Sequence, residues 1–249
     1  MKLFDNTILI TGGTSGIGHA LAVQLAARGN NVVIAGRRKE LIDDIVAAND
    51  GIDGIVLDVT DPSSIAQAAA SLRVSHPGLN VLINNAGIMR GEDVLDASSV
   101  ETAELTIASN LLGPIRLTLA LLPLLTANAD PVVMTVTSGL AFVPRPDTPT
   151  YSATKAAIHS WSESLRVQLA DKVQVIELAP PFTQTELMGQ QGNPMAMPLS
   201  DYVIEVMNLL DDQPDAQEIL VERVKRQRFA ERDGTYAEVL RAQSGLPKA

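Results

Sequence analysis

Short apolar runs of strand length alternate with longer helical patterns along most of this 249-residue chain, and this alternation limits the folds it can adopt. Most runs are apolar at consecutive positions, which is typical of parallel strands with both faces buried. Six runs are predicted to be strands, at residues 7–10, 32–35, 55–57, 81–83, 132–136 and 173–178. The pattern predicts an α/β fold, a doubly wound parallel sheet with helices on both faces.

Helical segments fill the intervals between these runs. Leu21 and Leu25 share one helix face, and Gly29 follows as a typical C-cap. Asp61 and Pro62 read as an N-cap followed by proline at the first helical position. The predicted helices are 18–28, 62–73, 105–127 and 152–170. Because no linker rich in Pro, Gly or Ser divides the chain, we expect a single domain over residues 1–249.

Composition and charge exclude several classes of function. The chain lacks cysteine, which excludes a disulfide scaffold and thiolate sites and fits a reducing, cytoplasmic location. The three histidines lack metal-ligand spacing, so no metal site is predicted, and a formal charge of −10 argues against nucleic-acid binding. The N-terminus does not resemble a secretory signal. The most apolar stretch, 111–125, contains Arg116 and two prolines, so it is expected to be too short and interrupted to cross a membrane.

A glycine-rich segment, 11–18, lies directly after the first predicted strand and opens the first predicted helix. Glycine permits a tight turn there and lets backbone N–H groups approach a pyrophosphate beside the positive end of the helix dipole. This context favours a dinucleotide-phosphate site over an ordinary glycine-rich turn. The predicted cofactor-binding residues of this segment are Gly12, Thr14, Ser15, Gly16, Ile17 and Gly18.

The ends of the second and third strands bear on the choice of cofactor. An NAD-binding fold places an acid after the second strand to hold the ribose 2′-hydroxyl, whereas this chain has Arg37, Arg38 and Lys39. An arginine can form a fork to a 2′-phosphate, so NADP(H) is preferred over NAD(H). A solvated charge cluster is the alternative, and it is favoured for Lys39. Asp58, followed by Val59, either binds the adenine amino group or is a plain strand-end acid.

Four polar residues in the second half of the chain suggest acid–base chemistry. Tyr151 and Lys155 are four residues apart near a predicted helix start, so they share one face. A tyrosine has an ordinary pKa of about 10, and a neighbouring cation favours its phenolate. Ser138 follows a buried strand at the predicted carboxyl edge of the sheet. Asn110 lies inside an apolar helix, where an asparagine is unfavourable and requires a reason.

Together these motifs resemble the short-chain dehydrogenase/reductase family in its compact form. The resemblance rests on segments 11–18 and 84–87 and on the tetrad Asn110, Ser138, Tyr151 and Lys155, in matching order from residue 5 to about 180. Each motif alone is weak, but the set is specific. The resemblance implies a Rossmann-like sheet and an NAD(P)-dependent enzyme acting on C=O or CH–OH groups.

The resemblance also implies roles for individual residues. Tyr151 would exchange a proton with the substrate oxygen, Ser138 would hydrogen-bond that oxygen, and Lys155 would lower the Tyr151 pKa and bind the nicotinamide ribose. Asn110 would hold a water linked to Lys155, through a local irregularity of its helix. The residues implied to line the adenine and ribose side are Asn85, Ala86 and Gly87.

The region after the sixth strand departs from the family pattern, because Pro180-Pro181 stands where Pro-Gly is usual. Proline fixes φ and lacks an N–H, so the backbone near the nicotinamide carboxamide is expected to be stiff. Residues 183–200, rich in Met, Gly and Pro, are either a substrate flap or a surface loop. Residues predicted to bind the carboxamide or pyrophosphate are Pro181, Thr183 and Thr185. Residues predicted to line the substrate pocket are Leu140, Phe142, Phe182 and Met188.

The C-terminal segment, about 215–249, is atypical for the family. A short strand at 218–221 precedes a basic stretch, 222–232, and this pattern resembles a divergent subgroup named for D-alanylation of lipoteichoic acid. The basic stretch either binds an anionic group or is a solvated face. Segment 111–125 and the helix face around Trp161 would otherwise be exposed apolar surface, which favours a homodimer.

These features predict an NADP(H)-dependent oxidoreductase that transfers hydride between the nicotinamide and a carbonyl or hydroxyl group of a small, fairly apolar substrate. An NADPH-binding accessory or regulatory protein with little turnover is the alternative. The intact tetrad favours the enzyme, because a sensor does not need both Tyr151 and Lys155.

Overall fold

Seven parallel strands form one sheet in the computed structural model of the chain, which describes residues 1–189 and 192–244. The strands are β1 (Thr7–Thr11), β2 (Asn31–Gly36), β3 (Ile52–Val56), β4 (Leu79–Asn84), β5 (Val132–Val136), β6 (Gln174–Leu178) and β7 (Glu218–Ile219). Their order in space is β3-β2-β1-β4-β5-β6-β7. Successive strands are therefore added on one side of β1 up to β3 and on its other side from β4 onward, so the order reverses between β1 and β4. In such sheets a ligand binds outside the carboxyl ends of the strands at the reversal.

Helices cover both faces of this sheet. They are α1 (Gly16–Ala26), α2 (Lys39–Ala48), α3 (Pro62–Ser75), α4 (Ser99–Ile107), α5 (Gly113–Leu125), α6 (Pro149–Gln168), α7 (Leu199–Asp212), α8 (Glu222–Arg228) and α9 (Tyr236–Gln243). A π-helical turn (Ala108–Leu112) joins α4 to α5, and short 3₁₀ turns lie at Gly139–Ala141 and Leu187–Gly189.

The predicted doubly wound sheet is confirmed, with each of the six predicted strands present within a few residues. β3 begins at Ile52, earlier than predicted. The prediction missed its first residues because Asp53 and Gly54 interrupt the apolar pattern of this edge strand. Of the short strand predicted at 218–221, the first two residues pair with β6. Asp61 caps α3 as predicted, since its carboxylate accepts a backbone N–H of the first turn at 2.8 Å.

Two apolar cores lie on opposite faces of the sheet. Ile8 and Ile10 of β1 pack into one core with α1 and α7, whereas Leu9 between them packs into the other with α3 and α5. All three side chains are fully buried. This explains why the strands are apolar at consecutive positions, since successive side chains point to opposite faces and both faces are covered.

The helix formed by α4, the π-helical turn and α5 runs continuously from Ser99 to Leu125. The helix has 27 residues, and its most apolar 18-residue window has a mean hydropathy of 1.5, so it is long and apolar enough to cross a membrane and the expectation that this region is too short was wrong. However, 44% of its apolar window is buried inside the protein, where α5 packs against β4 and α3. Core helices of soluble proteins pass the same test, so this helix is weak evidence for a membrane.

Candidate active site

A cavity of about 600 Å³ opens at the carboxyl edge of the sheet, where the segments after β1, β4, β5 and β6 converge. The predicted site residues that line it are Gly12, Ser15, Gly16, Ile17, Asn85, Ala86, Gly87, Ser138, Leu140, Tyr151, Lys155, Pro181, Phe182, Thr183 and Thr185. Those outside this lining are Thr14, Gly18, Arg37, Arg38, Asp58, Val59, Asn110 and Phe142. The side chain of Met188 lies outside the described part of the structure.

The glycine-rich turn between β1 and α1 uses its glycines in two ways. Gly12 and Gly16 have φ angles of 65° and 53°, in the left-handed region that favours glycine. Gly18 instead lies in α1 so close to the Asn85 amide and the Gly12 carbonyl that a Cβ there would clash with both. Gly18 therefore lets the helix pack against the turn and does not face the cavity.

Thr11 joins the glycine-rich turn to the segment after β4. Its Oγ1 accepts the backbone N–H groups of Asn85 and Ala86, both at 3.0 Å, and Asn85 Nδ2 donates to the Thr11 carbonyl at 2.9 Å. Thr14 points the other way, since a Cβ on Gly36 would lie 3.1 Å from its methyl group. Thr14 thus braces the turn against β2 and does not face the cavity.

The glycine-rich turn fits a dinucleotide phosphate. No side chain caps α1 at its N-cap residue, Ser15, so the first N–H groups of the helix can bind an anion beside the positive end of its dipole. Gly12 and Gly16 leave the backbone accessible from the cavity. Opposite them, the Thr185 methyl group lies 3.6 Å from the place a Cβ would take on Gly16, so the segment after β6 closes over the turn.

The cations after β2 lie beyond the cavity. Arg37 and Arg38 are exposed at the end of this strand. Lys39 starts α2 and forms an ion pair with Asp43 one turn later, with an N–O distance of 2.6 Å. This pairing agrees with the solvated-charge interpretation of Lys39, whereas the two arginines have no ion pair among the described residues.

Asp58 is held in a turn after β3. Its Oδ1 accepts the N–H and O–H of Thr60 at 2.9 and 2.7 Å. Burial by itself raises the pKa of Asp58, but the Thr60 hydrogen bonds and the charge of Arg37 outweigh it, so the pKa is lowered. Val59 turns away from the site and packs on the core around α5, where its carbonyl closely approaches Gly113.

Ser138, Tyr151 and Lys155 meet at the wall of the cavity. Ser138 follows β5, and its Oγ accepts the backbone N–H of Leu140 at 3.1 Å, which orients the hydroxyl. Tyr151 and Lys155 lie one turn apart near the start of α6, with the Lys155 Nζ 5.5 Å from the centre of the Tyr151 ring. Lys155 Nζ donates to the Val136 carbonyl at 2.8 Å, so the ammonium is anchored to the end of β5.

Burial controls the protonation of both groups. It raises the pKa of Tyr151 to about 12, with a hydrogen bond to Ser138 acting in the opposite direction. It lowers the pKa of Lys155 to about 8, with the charge of Glu177 acting in the opposite direction. The pKa of Tyr151 is therefore raised and not lowered as predicted, because desolvation of the phenolate dominates. Tyr151 keeps its proton at neutral pH.

Asn110 lies in the π-helical turn between α4 and α5, so the expected irregularity of its helix is present. Its Oδ1 accepts the N–H of Ile88 and its Nδ2 donates to the carbonyl of Ile88, both at 2.8 Å. A Cβ on Gly87 would lie 3.1 Å from Asn110 Oδ1 and 3.9 Å from Lys155 Nζ. Asn110 therefore stands behind Gly87, close to Lys155, and fixes the segment after β4.

A carboxylate network that the motifs did not predict lies behind Lys155. Glu177 of β6 is fully buried; its Oε1 accepts Thr137 Oγ1 at 2.8 Å, and its Oε2 lies 2.7 Å from His159 Nδ1. His159 follows Lys155 by one turn on the same face of α6. The Glu177 hydrogen bond raises the pKa of His159, although burial opposes it. A glutamate inside an apolar strand is the sequence signal that points to this network.

Glu218 of β7 extends this network. His159, Glu177 and Glu218 each place one possible ligand atom within 4.8 Å of the other two, and this spacing is compatible with a metal ion. Arg228 instead donates its Nε to both carboxylate oxygens of Glu218, at 3.0 and 3.1 Å. The guanidinium supplies the positive charge at this place, so we assign the cluster to an ion-pair network.

Two C-terminal helices, α8 and α9, form a wall of the cavity through Gln227 and Gln243. Gln227 Nε2 donates to Gln243 Oε1, and Gln243 Nε2 donates to the Val143 carbonyl at 2.9 Å. Gln227 also covers Gly139 so closely that a Cβ there would clash with its carboxamide. The atypical tail is therefore fastened to the segment after β5 and helps to shape the cavity.

Phe142 does not line the cavity as predicted, because its ring is held in a cluster outside it. The ring meets His159 edge-on with centroids 5.0 Å apart, and the Arg228 guanidinium lies 4.8 Å from the ring centre. Lys225 and Arg226 of α8 also form ion pairs with glutamates. These pairings favour the solvated-face interpretation of the basic stretch over an anion-binding one.

The segment after β6 folds back on itself at its base. Thr183 and Met197 form a parallel bridge, with Met197 N–H donating to the Phe182 carbonyl and Gln184 N–H donating to the Met197 carbonyl, both at 2.8 Å. Phe182 and Thr183 line the cavity beside Thr185. This placement favours the flap interpretation over a surface loop.

Several side chains of the cavity wall belong to no motif, and sequence reasoning missed them. They are Met89, Arg145, Gln227 and Gln243. Their positions follow from the convergence of distant segments, which no local pattern reports.

Comparison with known proteins agrees with this geometry. The family model for short chain dehydrogenases matches residues 6–196. The uncharacterized oxidoreductase DltE of Bacillus subtilis is 37% identical over 239 residues, covering 93% of this chain and 94% of that protein. Serine 3-dehydrogenase of Agrobacterium fabrum is 32% identical over 193 residues, covering 76% of this chain and 77% of that protein.

A solved structure extends the comparison to the whole fold. A short chain dehydrogenase of Burkholderia cenocepacia, in complex with NADP, superposes with a TM-score of 0.82 and 27% identity, covering 99% of this chain and 100% of that one. The match to DltE covers 93% of this chain, so it reaches into the atypical tail, and it supports the resemblance to that subgroup. The chain belongs to the short-chain dehydrogenase family of oxidoreductases.

Proposed function

We propose that the protein is an NADP(H)-dependent oxidoreductase that transfers hydride between the nicotinamide and a carbonyl or hydroxyl group of a small, fairly apolar molecule. The observation that carries the proposal is that Ser138, Tyr151 and Lys155 share one cavity with the glycine-rich turn. A nicotinamide dinucleotide held there would supply or accept the hydride. The proposal treats residues 1–249 as one domain and includes a cytoplasmic location, which the lack of cysteine supports.

Tyr151 is the proton donor in carbonyl reduction. Its pKa, raised to about 12 by burial, keeps the phenol protonated at neutral pH, so it can deliver a proton to the developing alkoxide. Ser138 Oγ, oriented by the Leu140 N–H, binds the same oxygen. Lys155, anchored to the Val136 carbonyl, holds its ammonium beside the phenol and would bind the ribose of a nicotinamide cofactor. Alcohol oxidation requires the phenolate, so we expect it to speed up as pH rises.

A panel of carbonyl and alcohol substrates tests this function. We expect some ketones or aldehydes to cause oxidation of NADPH, and some alcohols to cause reduction of NADP⁺, as followed by cofactor absorbance. Turnover that depends on both the cofactor and the added compound supports an enzyme. If NADPH binds but no compound in a wide panel is converted, the protein is an accessory or regulatory NADPH-binding protein instead.

The preference for NADP(H) rests on Arg37 and Arg38, which are exposed at the end of β2. Arg37 lies near enough to Asp58 to lower the pKa of that carboxyl. A charge-assisted bond to the 2′-phosphate should make NADPH bind about 10- to 100-fold more tightly than NADH. Titrations with both cofactors measure this ratio for the wild type, Arg37→Ala and Arg38→Ala, with Lys39→Ala as the control. Equal affinities, or tighter NADH binding, would contradict the assignment.

We also propose a homodimer formed through the α4–α5 helix and α6. Leu119 is 61% exposed, Ile107 and Leu112 are partly exposed on the same long helix, and Val167 of α6 is 79% exposed. Apolar surface of this kind is usually covered by a partner, and a second copy offers the same patch. Sedimentation should give the mass of two chains, and Leu119→Glu should give one. Val74→Glu, on the exposed side of α3, is the control; a monomeric wild type would contradict the proposal.

A further inference from the structure

Arg145 is a cation at the wall of the catalytic cavity that the hydride-transfer proposal does not use. It lines the cavity together with Ser138 and Tyr151, and its side chain is 26% exposed. Among the described side chains of the lining, the other charged groups are Lys155 and Glu186. Lys155 is anchored to β5, and the proposed function already assigns it to the phenol and the nicotinamide ribose. Arg145 is therefore the cation of this cavity that remains for the substrate.

The backbone around Arg145 is stiff. Pro144 and Pro146 flank it, and a following proline disfavours the helical conformation for Arg145. The Arg145 N–H donates to Ser152 Oγ at 3.2 Å. Because Ser152 follows Tyr151 in α6, the guanidinium is carried on a short segment tied to the helix that bears the proton donor.

Asp147 orients the guanidinium from one edge. Arg145 Nε donates to Asp147 Oδ1 at 2.8 Å, and Nη2 donates to Oδ2. A guanidinium has five N–H donors, and among the described residues Nη1 has no acceptor, so a second edge is free to bind a ligand. Asp147 is 53% exposed and lies outside the cavity lining. The Asp147 carboxylate thus faces solvent, whereas the Arg145 guanidinium reaches the cavity.

The rest of the cavity lining adds neutral polar groups, apolar surface and one acid. Gln243 Nε2 donates to the Val143 and Pro144 carbonyls, at 2.9 and 3.4 Å, directly before Arg145. Apolar lining is supplied by Met89, Leu140, Phe182 and Leu187. Glu186 belongs to the flap and would repel a second negative charge. This arrangement suits a molecule with an apolar body and a single anionic end.

We propose that Arg145 binds a carboxylate group of the substrate, so that the enzyme acts on monoanionic hydroxy and oxo acids in preference to neutral alcohols and ketones. This inference rests on the proposed hydride transfer and names its substrate class. The guanidinium fork matches the planar geometry of a carboxylate. With the carboxylate at Arg145, the reacting oxygen of the same molecule would lie at Ser138 and Tyr151 in the one cavity.

Binding of an unreactive acid tests the inference without turnover. Butyrate and butyramide share a carbon skeleton and differ in charge, and neither carries a hydroxyl group to oxidise. With NADP⁺ present, calorimetric titration should show butyrate binding at least about tenfold more tightly than butyramide. Arg145→Gln should remove this difference. Arg232→Gln is the matched control, because Arg232 donates to Asp233 through the same two nitrogens, at 2.8 and 3.3 Å, but is 67% exposed and outside the cavity.

Steady-state turnover provides a second test of carboxylate binding at Arg145. For 3-hydroxybutyrate, Arg145→Gln should raise KM about 10- to 100-fold with a much smaller change in kcat. The same variant should raise KM for methyl 3-hydroxybutyrate far less than KM for the acid, and Arg145→Lys should restore part of the loss. The inference is overturned if the amide and ester bind as well as the acids, or if Arg145→Gln keeps the preference for acids. If acids bind in an Arg145-dependent way but are not turned over, the hydride-transfer proposal is wrong. If neutral compounds alone are turned over, hydride transfer stands and the proposal that Arg145 binds a substrate carboxylate is wrong.

Discussion

The proposed cofactor end and the proposed substrate end of the cavity are built in different ways. At the cofactor end, the contiguous segments 11–18 and 84–87 present backbone groups and small residues, and Thr11 ties the two together. At the substrate end, the wall consists of side chains from distant parts of the chain, such as Arg145 before α6 and Gln243 in α9. The cofactor end therefore depends on local backbone conformation, whereas the substrate end depends on what the tertiary fold brings together.

This difference separates what each end contributes to function. A backbone cradle tolerates few side chains, because Gly12 and Gly16 have positive φ angles and Gly18 is closely packed against the turn. A wall of side chains can change from one relative to the next without disturbing the sheet. Substitutions at the cofactor end should therefore weaken cofactor binding, and those at the substrate end should alter KM for the substrate.

The largest effect is expected where the two ends meet, at Tyr151. Tyr151→Phe keeps the ring but removes the proton donor, so kcat/KM for carbonyl reduction should fall about 10²- to 10⁴-fold. NADPH affinity should be nearly unchanged, because the cradle is intact. Initial rates and cofactor titrations measure the two quantities, with Ser160→Ala on the exposed side of α6 as the control. Turnover near the wild-type level would remove Tyr151 from the proton-donor role.

A change at the cofactor end should come next in size. Gly18→Ala adds a Cβ that collides with the Gly12 carbonyl and the Asn85 amide. Such overpacking should lower the free energy of unfolding by about 1–3 kcal/mol and weaken NADPH binding. Gly78→Ala is the control, because its Cβ would meet Thr7 Oγ1 at an ordinary 3.6 Å. Denaturant unfolding and titration give both values, and unchanged cofactor affinity in Gly18→Ala would argue against a tightly packed cradle.

A smaller and different effect is expected at the substrate end. Gln227→Ala removes the hydrogen bond to Gln243 and opens the wall beside Gly139. Loss of one hydrogen bond, about 1 kcal/mol, should raise KM for an accepted substrate about fivefold while NADPH affinity stays the same. Steady-state kinetics test this, with Gln168→Ala on the exposed side of α6 as the control. A change confined to NADPH affinity would assign the C-terminal wall to the cofactor end.

The smallest effect is expected in thermal stability, at the Glu177–His159 pair that lies behind the cavity. Glu177 raises the pKa of His159 in the folded chain, so the stability that this pair contributes is fully present below the ordinary histidine pKa of about 6.5. That contribution is lost as pH rises through the raised folded-state pKa. The Tm difference between the wild type and His159→Gln should therefore be largest in mild acid and narrow at alkaline pH. A difference that is constant from pH about 5 to 9 would mean that His159 does not titrate with folding.

The same contrast explains how much was predictable from the sequence. β1, the glycine-rich turn and the Tyr151–Lys155 pair were recognisable because each is a local pattern with a local physical cause. β3 was misplaced because Asp53 and Gly54 mask its apolar pattern at the sheet edge. Phe142 was misassigned because closeness to Ser138 in sequence says nothing about which way a ring packs.

Gln227 and Gln243 were missed because their neighbours in space, Gly139 and Val143, are remote from them in sequence. Gln243 meets the Val143 carbonyl across 100 residues, and no periodicity or motif reports such a contact. The Tyr151 pKa was predicted in the wrong direction for a related reason. Proximity to Lys155 is visible in sequence, whereas full burial of the phenol appears only in the fold.

The account centres on one cavity that joins a nicotinamide site to a substrate site, and isotope transfer tests this most directly. NADPH carrying deuterium at the transferable position of its nicotinamide is incubated with the protein and an oxo acid, and the product is examined by mass spectrometry. The account predicts a hydroxy acid with deuterium bound to the carbinol carbon, formed by the wild type and about 10²- to 10⁴-fold more slowly by Tyr151→Phe. A hydroxy acid without deuterium, or no product from a protein that binds NADPH, would contradict it.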